Sequence, residues 1–296
     1  MSNTDVPLAR RLSWSVRREL WENRSIYLAP VVVAALVLVG FGIALFTLPA
    51  TVRAATALGP GEQHEVIQRP YLIAAIVLMA VDLLVAVFYC IDALYGERRD
   101  RAILFWKSMP VSDRLTVLAK ASIPILVLPL VTVLATAVTQ GIMLLASSAV
   151  LAANGMSTAA LWGNVPFFDM VRINLEHMLL FHGIWYAPLY GWLLLASAWA
   201  TRLPFLWAAL PPLAIGIVER IAFNSTHFTT LVQSHLFGGP TPGPYGSPSP
   251  GPMTMDMLAP HSLAHFLAAP ELWAGLVLTA LFLAAASRLR HYGGAM

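Results

Sequence analysis

Charged residues are scarce in this chain of 296 residues. They make up 11% of it, whereas hydrophobic residues make up 58%. Soluble domains carry about 25% charged residues, so a water-soluble fold of this length would lack the polar surface that it needs. The 18 Lys and Arg residues are spread between apolar segments rather than gathered on one basic face. This composition indicates a membrane protein and argues against nucleic-acid binding.

Lysine and cysteine are nearly absent. Neither of the two lysines, Lys107 and Lys120, follows a glycine, so the chain has no G-x-x-x-x-G-K-[ST] loop to hold the phosphates of ATP. Neither a G-x-S-x-G nucleophile motif nor an H-E-x-x-H zinc motif is present. The single cysteine, Cys90, forms no internal disulfide and no Cys-rich metal site. We therefore expect no cofactor, no bound metal and no catalysis by this chain, and any use of ATP must come from a partner.

Six apolar segments are long enough to cross a bilayer. A hydrocarbon core of about 30 Å needs roughly 20 apolar residues in a helix. The first segment has about 23 residues, more than the roughly 7 to 15 of a signal-peptide core. The sequence therefore predicts one all-α, polytopic membrane domain over residues 1–296. Its predicted spans are 26–48, 71–93, 121–151, 178–200, 203–221 and 271–287.

The positive residues predict the orientation of these spans. Lys and Arg near the ends of transmembrane helices are retained on the cytoplasmic side. With the N-terminus inside, fourteen of the 18 fall on that side, and only Arg53, Arg69, Arg172 and Arg220 fall outside. Both termini are thus predicted to be cytoplasmic, which agrees with an even number of spans.

Residues 1–25 predict an amphipathic helix before the first span. Apolar residues recur there every four positions and form one stripe, with arginines on the other side. We expect this helix to lie along the inner membrane surface, with Trp14 and Trp21 at the headgroups. The alternative is that it only anchors the topology. The stripe consists of Leu8, Leu12, Val16 and Leu20.

Residues 222–270 form a long external loop in this topology, because no Lys or Arg lies between Arg220 and Arg288. Its Pro/Gly-rich part, 238–252, is unsuited to a regular helix. Residues 255–269 are apolar and are compatible with a short helix that returns toward the membrane.

Histidines give a weaker signal. Four of them lie on the external loop, and four imidazoles are able to hold a metal, but no carboxylate or cysteine completes a known ligand pattern. We expect no metal site there. His177 and His182, at the outer start of the fourth span, are expected to be hydrogen-bonded interface residues. The four loop histidines are His227, His235, His261 and His265.

Asp82 is the one clear acid near the middle of a span. An ionised acid at that depth is costly and usually faces the interior of the bundle or a watery cavity. Thr132 and Thr136 fall at a similar depth on the third span, so their hydroxyls are candidate hydrogen-bond donors. Two roles remain open, a buried polar clamp between these spans or a part of a substrate path.

The longest cytoplasmic loop, 94–120, combines a charged cluster with an apolar patch. Phe105 and Trp106 are the largest side chains of a patch that is too apolar for a solvated loop and too short to span the bilayer. Pro110 ends the helix that carries the patch, and Ser112 is placed to cap the next one. A short helix of this kind is suited to dock into a groove of a partner protein. The alternative is packing under its own bundle.

This loop resembles that of the type 2 permeases of ATP-binding-cassette (ABC) transporters. Their loop has an E-R-E-x-G-T-L segment, followed by P-V-S and a lysine that leads into the third span. Arg101 and Ala102 stand here where Gly-Thr is usual. The amphipathic N-terminal helix, the six spans and the long last external loop are also similar, so the resemblance covers most of the chain. The matching residues are Glu97, Arg98, Ile103, Pro110, Val111, Ser112 and Lys120.

The resemblance implies a permease subunit of an ATP-driven exporter in a bacterial plasma (inner) membrane. Such a subunit pairs with a second permease, identical or homologous, and presses its loop into a cytoplasmic ABC ATPase. Glu97, Arg98, Phe105 and Trp106 would then lie at or under the ATPase contact. No residue of the chain selects a substrate.

Two other classes remain as alternatives. An ion-coupled secondary transporter would use its own intramembrane charges, and such proteins usually have paired repeats and broken helices. The sequence has Asp82 but no matched repeat. A non-transporting membrane adaptor or sensor is the third class.

Overall fold

The computed structural model of the chain describes residues 7–100, 112–237, 258 and 263–292. All regular structure in these residues is helical and none of it is strand, which confirms the all-α class. Phe105, Trp106, Pro110 and residues 238–252 lie outside the described residues.

Within each described range, the helices follow one another with short connections. Two of them are π-helices, in which the backbone bonds span five residues instead of four. In chain order the elements are α1 (Leu8–Glu22), α2 (Ser25–Ala44), α3 (Leu48–Ala55), α4 (Pro60–Ala93), α5 (Tyr95–Arg99), α6 (Asp113–Ser122), π1 (Ile123–Val127), α7 (Leu128–Ala153), α8 (Ala159–Asn164), α9 (Phe167–His177), π2 (Met178–Trp185), α10 (Ala187–Trp199), α11 (Pro204–Phe223), α12 (His227–Phe237), α13 (Leu263–Ala268) and α14 (Pro270–Tyr292).

Several of these helices are long and apolar enough to cross a membrane, as a multi-pass membrane protein requires. A bent pair, Ala159–Trp185 with Ala187–Trp199, makes a sixth span if the two are counted together. Within the described residues the number of candidate spans is therefore six, as predicted, if the bent pair counts as one span, and five if it does not. The five single stretches are Ser25–Ala44, Pro60–Arg99, Asp113–Ala153, Pro204–Phe223 and Pro270–Tyr292.

The fourth span is bent, so the prediction of one continuous helix at 178–200 is wrong. The chain bends by 46° between π2 and α10. Pro188 has no N–H to donate to the carbonyl of Ile184, and the N–H of Tyr186 bonds to the carbonyl of Phe181 at 3.0 Å. The 13 residues of α10 rise only about 20 Å, too little to cross the hydrocarbon core alone.

The core surrounds α4, which packs against α2 and α7 and also against α10, while α14 packs against α10. Tyr71 and Met143 are buried on one side of the bundle, and Ile26, Leu128 and Tyr190 on the other. The outward faces of α2, α11 and α14 expose large apolar side chains over most of their length. A surface of this kind is suited to lipid and not to water.

Helix α1 covers most of the predicted N-terminal helix. Trp14 and Trp21 are exposed. Val16 and Leu20 of the apolar stripe pack against the helix bundle itself. The stripe therefore serves at least in part to attach α1 to the bundle, and its placement along a membrane surface stays a prediction.

Two short helices belong to the loop predicted at 222–270. Helix α13 falls within the apolar stretch 255–269, where a short helix was expected. Helix α12 was not predicted, although Phe228, Leu231, Val232 and Leu236 have the spacing of an apolar helical stripe.

Candidate functional site

Six ionisable side chains gather where the two ends of the chain meet. We call them the charged cluster, and they come from α1, α5, α6 and α14. Glu19 and Lys120 are 0% and 2% exposed. Three members are cationic and three are anionic, so the buried charges compensate one another. The members are Arg18, Glu19, Glu97, Asp113, Lys120 and Arg290.

Lys120 connects the two buried carboxylates. Its Nζ donates to both carboxylate oxygens of Glu19 at 3.0 Å and lies 3.1 Å from Glu97 Oε1. Arg18 Nη2 also donates to Glu19 at 2.7 Å, and the hydroxyl of Tyr89 donates at 2.9 Å. Burial acts to raise the pKa of Glu19, but the charge of Lys120 and the hydrogen bonds from Arg18 and Lys120 outweigh it. The pKa of Glu19 is therefore held below its ordinary value.

Arg290 contacts both flanks of residues 101–111. Its guanidinium forms an ion pair with Glu97, and its Nε donates to Asp113 Oδ1 at 3.0 Å. Ser112 caps α6 by accepting a backbone N–H of the first turn at 3.3 Å. The base of the predicted docking loop is thus fixed on both sides to the end of α14.

Arg98 attaches the same base to α10. Its Nη2 donates to the carbonyls of Ser197 and Ala200 at 2.7 Å each, at the C-terminal end of α10. A cation is favourable there because helix C-termini carry partial negative charge. The hydroxyl of Ser197 in turn accepts the N–H groups of Leu94 and Tyr95 at 3.0 and 2.9 Å. The junction between α4 and α5 is therefore held by backbone and side-chain bonds.

Glu97 and Arg98 thus have contacts within the chain. They are 8% and 9% exposed, so they position the loop rather than project from it. Their relation to an ATPase stays a prediction. Glu19, which shares Lys120 with Glu97, was not predicted as a site residue, although it follows Leu12 by seven residues and so lies on the apolar side of α1, where an acid is unexpected.

A second polar site lies inside the bundle. We call Asp82, Thr132 and His182 the intramembrane site. Asp82 is 0% exposed. Thr132 Oγ1 donates to Asp82 Oδ1 at 2.8 Å, and His182 Nδ1 lies 3.2 Å from Asp82 Oδ2. One carboxylate therefore joins three spans.

Thr136 takes no part in this site. Its hydroxyl donates to the carbonyl of Thr132, one turn earlier on the same helix, at 2.8 Å. The expected bond to Asp82 is therefore made by Thr132 alone. His182 was placed at the outer start of a straight span, but the bent span brings it to Asp82. The sequence did offer a signal for His182, because residues 178–200 contain no Asp, Glu, Lys or Arg and no other His.

The two π-helices meet beside the intramembrane site. A Cβ added to Gly183 in π2 would lie 2.5 Å from the carbonyl oxygen of Ile125 in π1, which is closer than real Cβ atoms approach. Glycine is thus required for this contact. π-Helical turns occur frequently at functional sites, and here both segments adjoin the polar triad.

The segment after α11 covers the bend of the fourth span. Trp185 Nε1 donates to the carbonyl of His235 at 2.7 Å, and the two rings stack with their centroids 4.4 Å apart. The hydroxyl of Tyr186 donates to the carbonyl of Leu236 at 2.9 Å. Burial lowers the pKa of His235 and favours its neutral form. The bend is therefore enclosed by α12.

The loop histidines do not come together as a site in the described part of the chain. His235 contacts Trp185 as above, and His261 lies outside the described residues. His177, which precedes the fourth span, has its Nδ1 at 3.0 Å from the carbonyl oxygen of Leu258. Within the part of the chain that the structure describes, no three His, Cys, Asp or Glu side chains come together as metal ligands.

Comparison of the chain with known protein families finds no match, and comparisons with curated proteins and with solved structures find none either.

Proposed function

We propose that this chain is the membrane-spanning permease subunit of an ATP-driven exporter whose ATPase is a separate polypeptide. The observation that carries the proposal is the charged cluster at the base of residues 101–111. Arg290 contacts both flanks of this segment, while Lys120 ties Glu97 to α1. A force applied to the segment would therefore reach helices from both ends of the chain.

The distribution of charge supports an ATPase on the side of the charged cluster. In the predicted topology, fourteen of the 18 Lys and Arg residues lie on the side that includes both termini, which the positive-inside tendency assigns to the cytoplasm. ATP is available there, and the chain itself has no P-loop. The proposed setting is a bacterial plasma membrane, with α1 along its inner surface and a second permease copy or a homologous permease as partner.

Co-purification with a candidate ATPase tests the proposal. The solubilised chain should bring an ATPase with it, in a complex that contains two permeases. The variant Phe105→Ala/Trp106→Ala should weaken this assembly or uncouple ATP hydrolysis from transport, because aromatic side chains commonly anchor interfaces.

The matched control removes two exposed aromatic side chains elsewhere, with Trp162→Ala/Phe168→Ala in α8 and α9. This control should assemble normally. Equal assembly and equal coupling in the two double variants would reject the docking role, and transport by the purified permease without any ATPase would reject the proposal as a whole.

One observation favours a second candidate, an ion-coupled secondary transporter. Asp82 and His182 form a buried titratable pair next to a bent span, and broken helices are frequent in such carriers. The test is transport by the chain alone in liposomes under a proton gradient. If the chain is a secondary transporter, the wild type should transport in these liposomes and Asp82→Asn should not. If it is an ATP-driven permease, the wild type should be inactive without its ATPase.

A further inference from the structure

A groove opens between α2 and α4, away from both sites described above. It has a volume of about 520 Å³, which falls within the range of about 300 to 1,000 Å³ typical of small-molecule sites. Its walls are apolar along Val37, Phe41, Ile73 and Ala74, and the buried Met143 of α7 lies behind them. These residues belong to the stretches of α2 and α4 that are long and apolar enough to cross a membrane.

One end of the groove is polar. Glu65 and Arg69 line it on successive turns of α4, and residues four apart lie on the same helix face. In the described part of the chain neither side chain has an ion-pair partner. Pro70 has no N–H, so the carbonyl of Val66, another lining residue, lacks its usual helical donor. A cation, an anion and a backbone acceptor thus lie within about one helical turn.

The order of these features along the groove matches an amphiphile. Glu65 and Arg69 lie in the first turns of α4, before the predicted start of the apolar span at residue 71, whereas Ile73 and Ala74 lie inside it. The polar end is therefore near the membrane boundary and the apolar part runs into the hydrocarbon. A headgroup and an acyl chain have the same arrangement.

We propose that this groove binds one molecule of a zwitterionic phospholipid with a primary ammonium headgroup, phosphatidylethanolamine. Arg69 binds the phosphate, and Glu65 with the Val66 carbonyl accepts hydrogen bonds from the ammonium. One acyl chain lies along the apolar walls. The proposal depends on the membrane location of the chain and not on its role in transport.

Selectivity comes from the headgroup. Lipid tails are as apolar as the groove, so burying an acyl chain there adds little relative to the bilayer. Phosphatidylcholine has no N–H to donate to Glu65 or to the Val66 carbonyl. Phosphatidylglycerol has no cation and leaves the charge of Glu65 uncompensated. The expected order of binding therefore places phosphatidylethanolamine first.

Two glycines of α2 provide a matched pair of variants. A Cβ at Gly40 or at Gly42 would meet no atom within 4 Å. Gly40 lines the groove and Gly42 does not. A leucine at position 40 fills the groove, whereas a leucine at position 42 leaves it open.

Native mass spectrometry of the full chain in detergent, with the three phospholipids added in equal amounts, tests the proposal. The wild type and Gly42→Leu should retain one phosphatidylethanolamine, and Gly40→Leu should show an occupancy at least tenfold lower. Glu65→Gln removes the charge that binds the ammonium and that phosphatidylglycerol leaves uncompensated, so it should lower the preference for phosphatidylethanolamine. This variant keeps the test valid if Gly40→Leu does not fold. Equal binding of the three lipids by the wild type would overturn the proposal, as would an unchanged preference in Glu65→Gln or full retention in a folded Gly40→Leu.

Discussion

Replacing Lys120 with methionine is the sharpest perturbation of the charged cluster. Lys120 is the group that contacts both Glu19 and Glu97, and it is 2% exposed. Methionine has a similar length but no charge. In Lys120→Met, Glu19 keeps Arg18 as its partner and Glu97 keeps Arg290, so the cluster has a net negative charge in a buried place.

The expected loss is large. Removing one partner of a buried ion pair costs about 3–5 kcal/mol, because the remaining charge stays buried without compensation. A loss of 1 kcal/mol lowers the melting temperature of a protein of this size class by about 2–4 °C. We therefore expect Lys120→Met to melt roughly 6–20 °C below the wild type.

Adding Glu19→Gln completes a double-mutant cycle. The second substitution removes the carboxylate that Lys120→Met leaves in excess, so the double variant should be more stable than the sum of the single effects predicts. Couplings between contacting residues are about 0.5–3 kcal/mol. Melting of the detergent-solubilised variants, followed by intrinsic tryptophan fluorescence, measures all four corners of the cycle.

An exposed ion pair in the same chain supplies the control. Arg172 Nη1 lies 2.8 Å from Glu176 Oε1, and the two side chains are 57% and 38% exposed. Arg172→Met should change stability by about 0.5 kcal/mol or less, because surface ion pairs contribute little. If Lys120→Met melts like Arg172→Met, or if the cycle is additive, the charged cluster does not hold the helix ends together.

Three further predictions concern single residues. Because the pKa of Glu19 lies below its ordinary value of 4.5, the stability that ionised Glu19 contributes is complete above pH 4.5 and is lost as the pH falls through the lowered pKa. The difference in melting temperature between wild type and Glu19→Gln should therefore narrow below about pH 4.5, and a constant difference would contradict this. Gly183→Ala should lower the free energy of unfolding by about 1–3 kcal/mol in thermal melting, because its Cβ clashes with the carbonyl of Ile125. Gly141→Ala, whose Cβ would have ordinary contacts, should not lower it, and equal effects of the two variants would remove the argument for the π-helix contact. Asp82→Asn keeps the size and hydrogen bonding of the side chain and should melt near the wild type, whereas Asp82→Leu should melt well below it. Loss of transport in a well-folded Asp82→Asn would instead indicate that Asp82 binds a cation or carries a proton.

Continuous apolar runs made the spans predictable from the sequence. The hydrophobic thickness of a bilayer sets the length of such a run, so α2, α11 and α14 lie close to the predicted segments 26–48, 203–221 and 271–287. Helix type follows in the same way, because the backbone bonds must be satisfied within the segment.

The bend in the fourth span was not predictable in this way. A π-helix changes the backbone bonding without changing the hydropathy, and in residues 178–200 the single interruption is Pro188. Depth along a straight helix therefore gave the wrong partner set for Asp82, with Thr136 included and His182 omitted. The partners of Glu97 were beyond sequence reasoning for another reason, because Arg18, Lys120 and Arg290 are far apart in the chain and only the packed bundle brings them together.

The two polar sites share the same pair of helical segments. Helix α4 carries Asp82 and continues into α5, where Glu97 and Arg98 lie at the base of residues 101–111. The facing segment consists of π2 and α10, with His182 at one end and Ser197 at the other. Polar contacts thus fix this pair near both ends, while apolar side chains fill the interface between them. Any tilt of α4 against α10 must change the geometry of both contacts, because packed helices move as rigid bodies rather than bend continuously. The bend and the π-helical turns lie in the facing segment next to Asp82, so that segment is where such a tilt would be taken up.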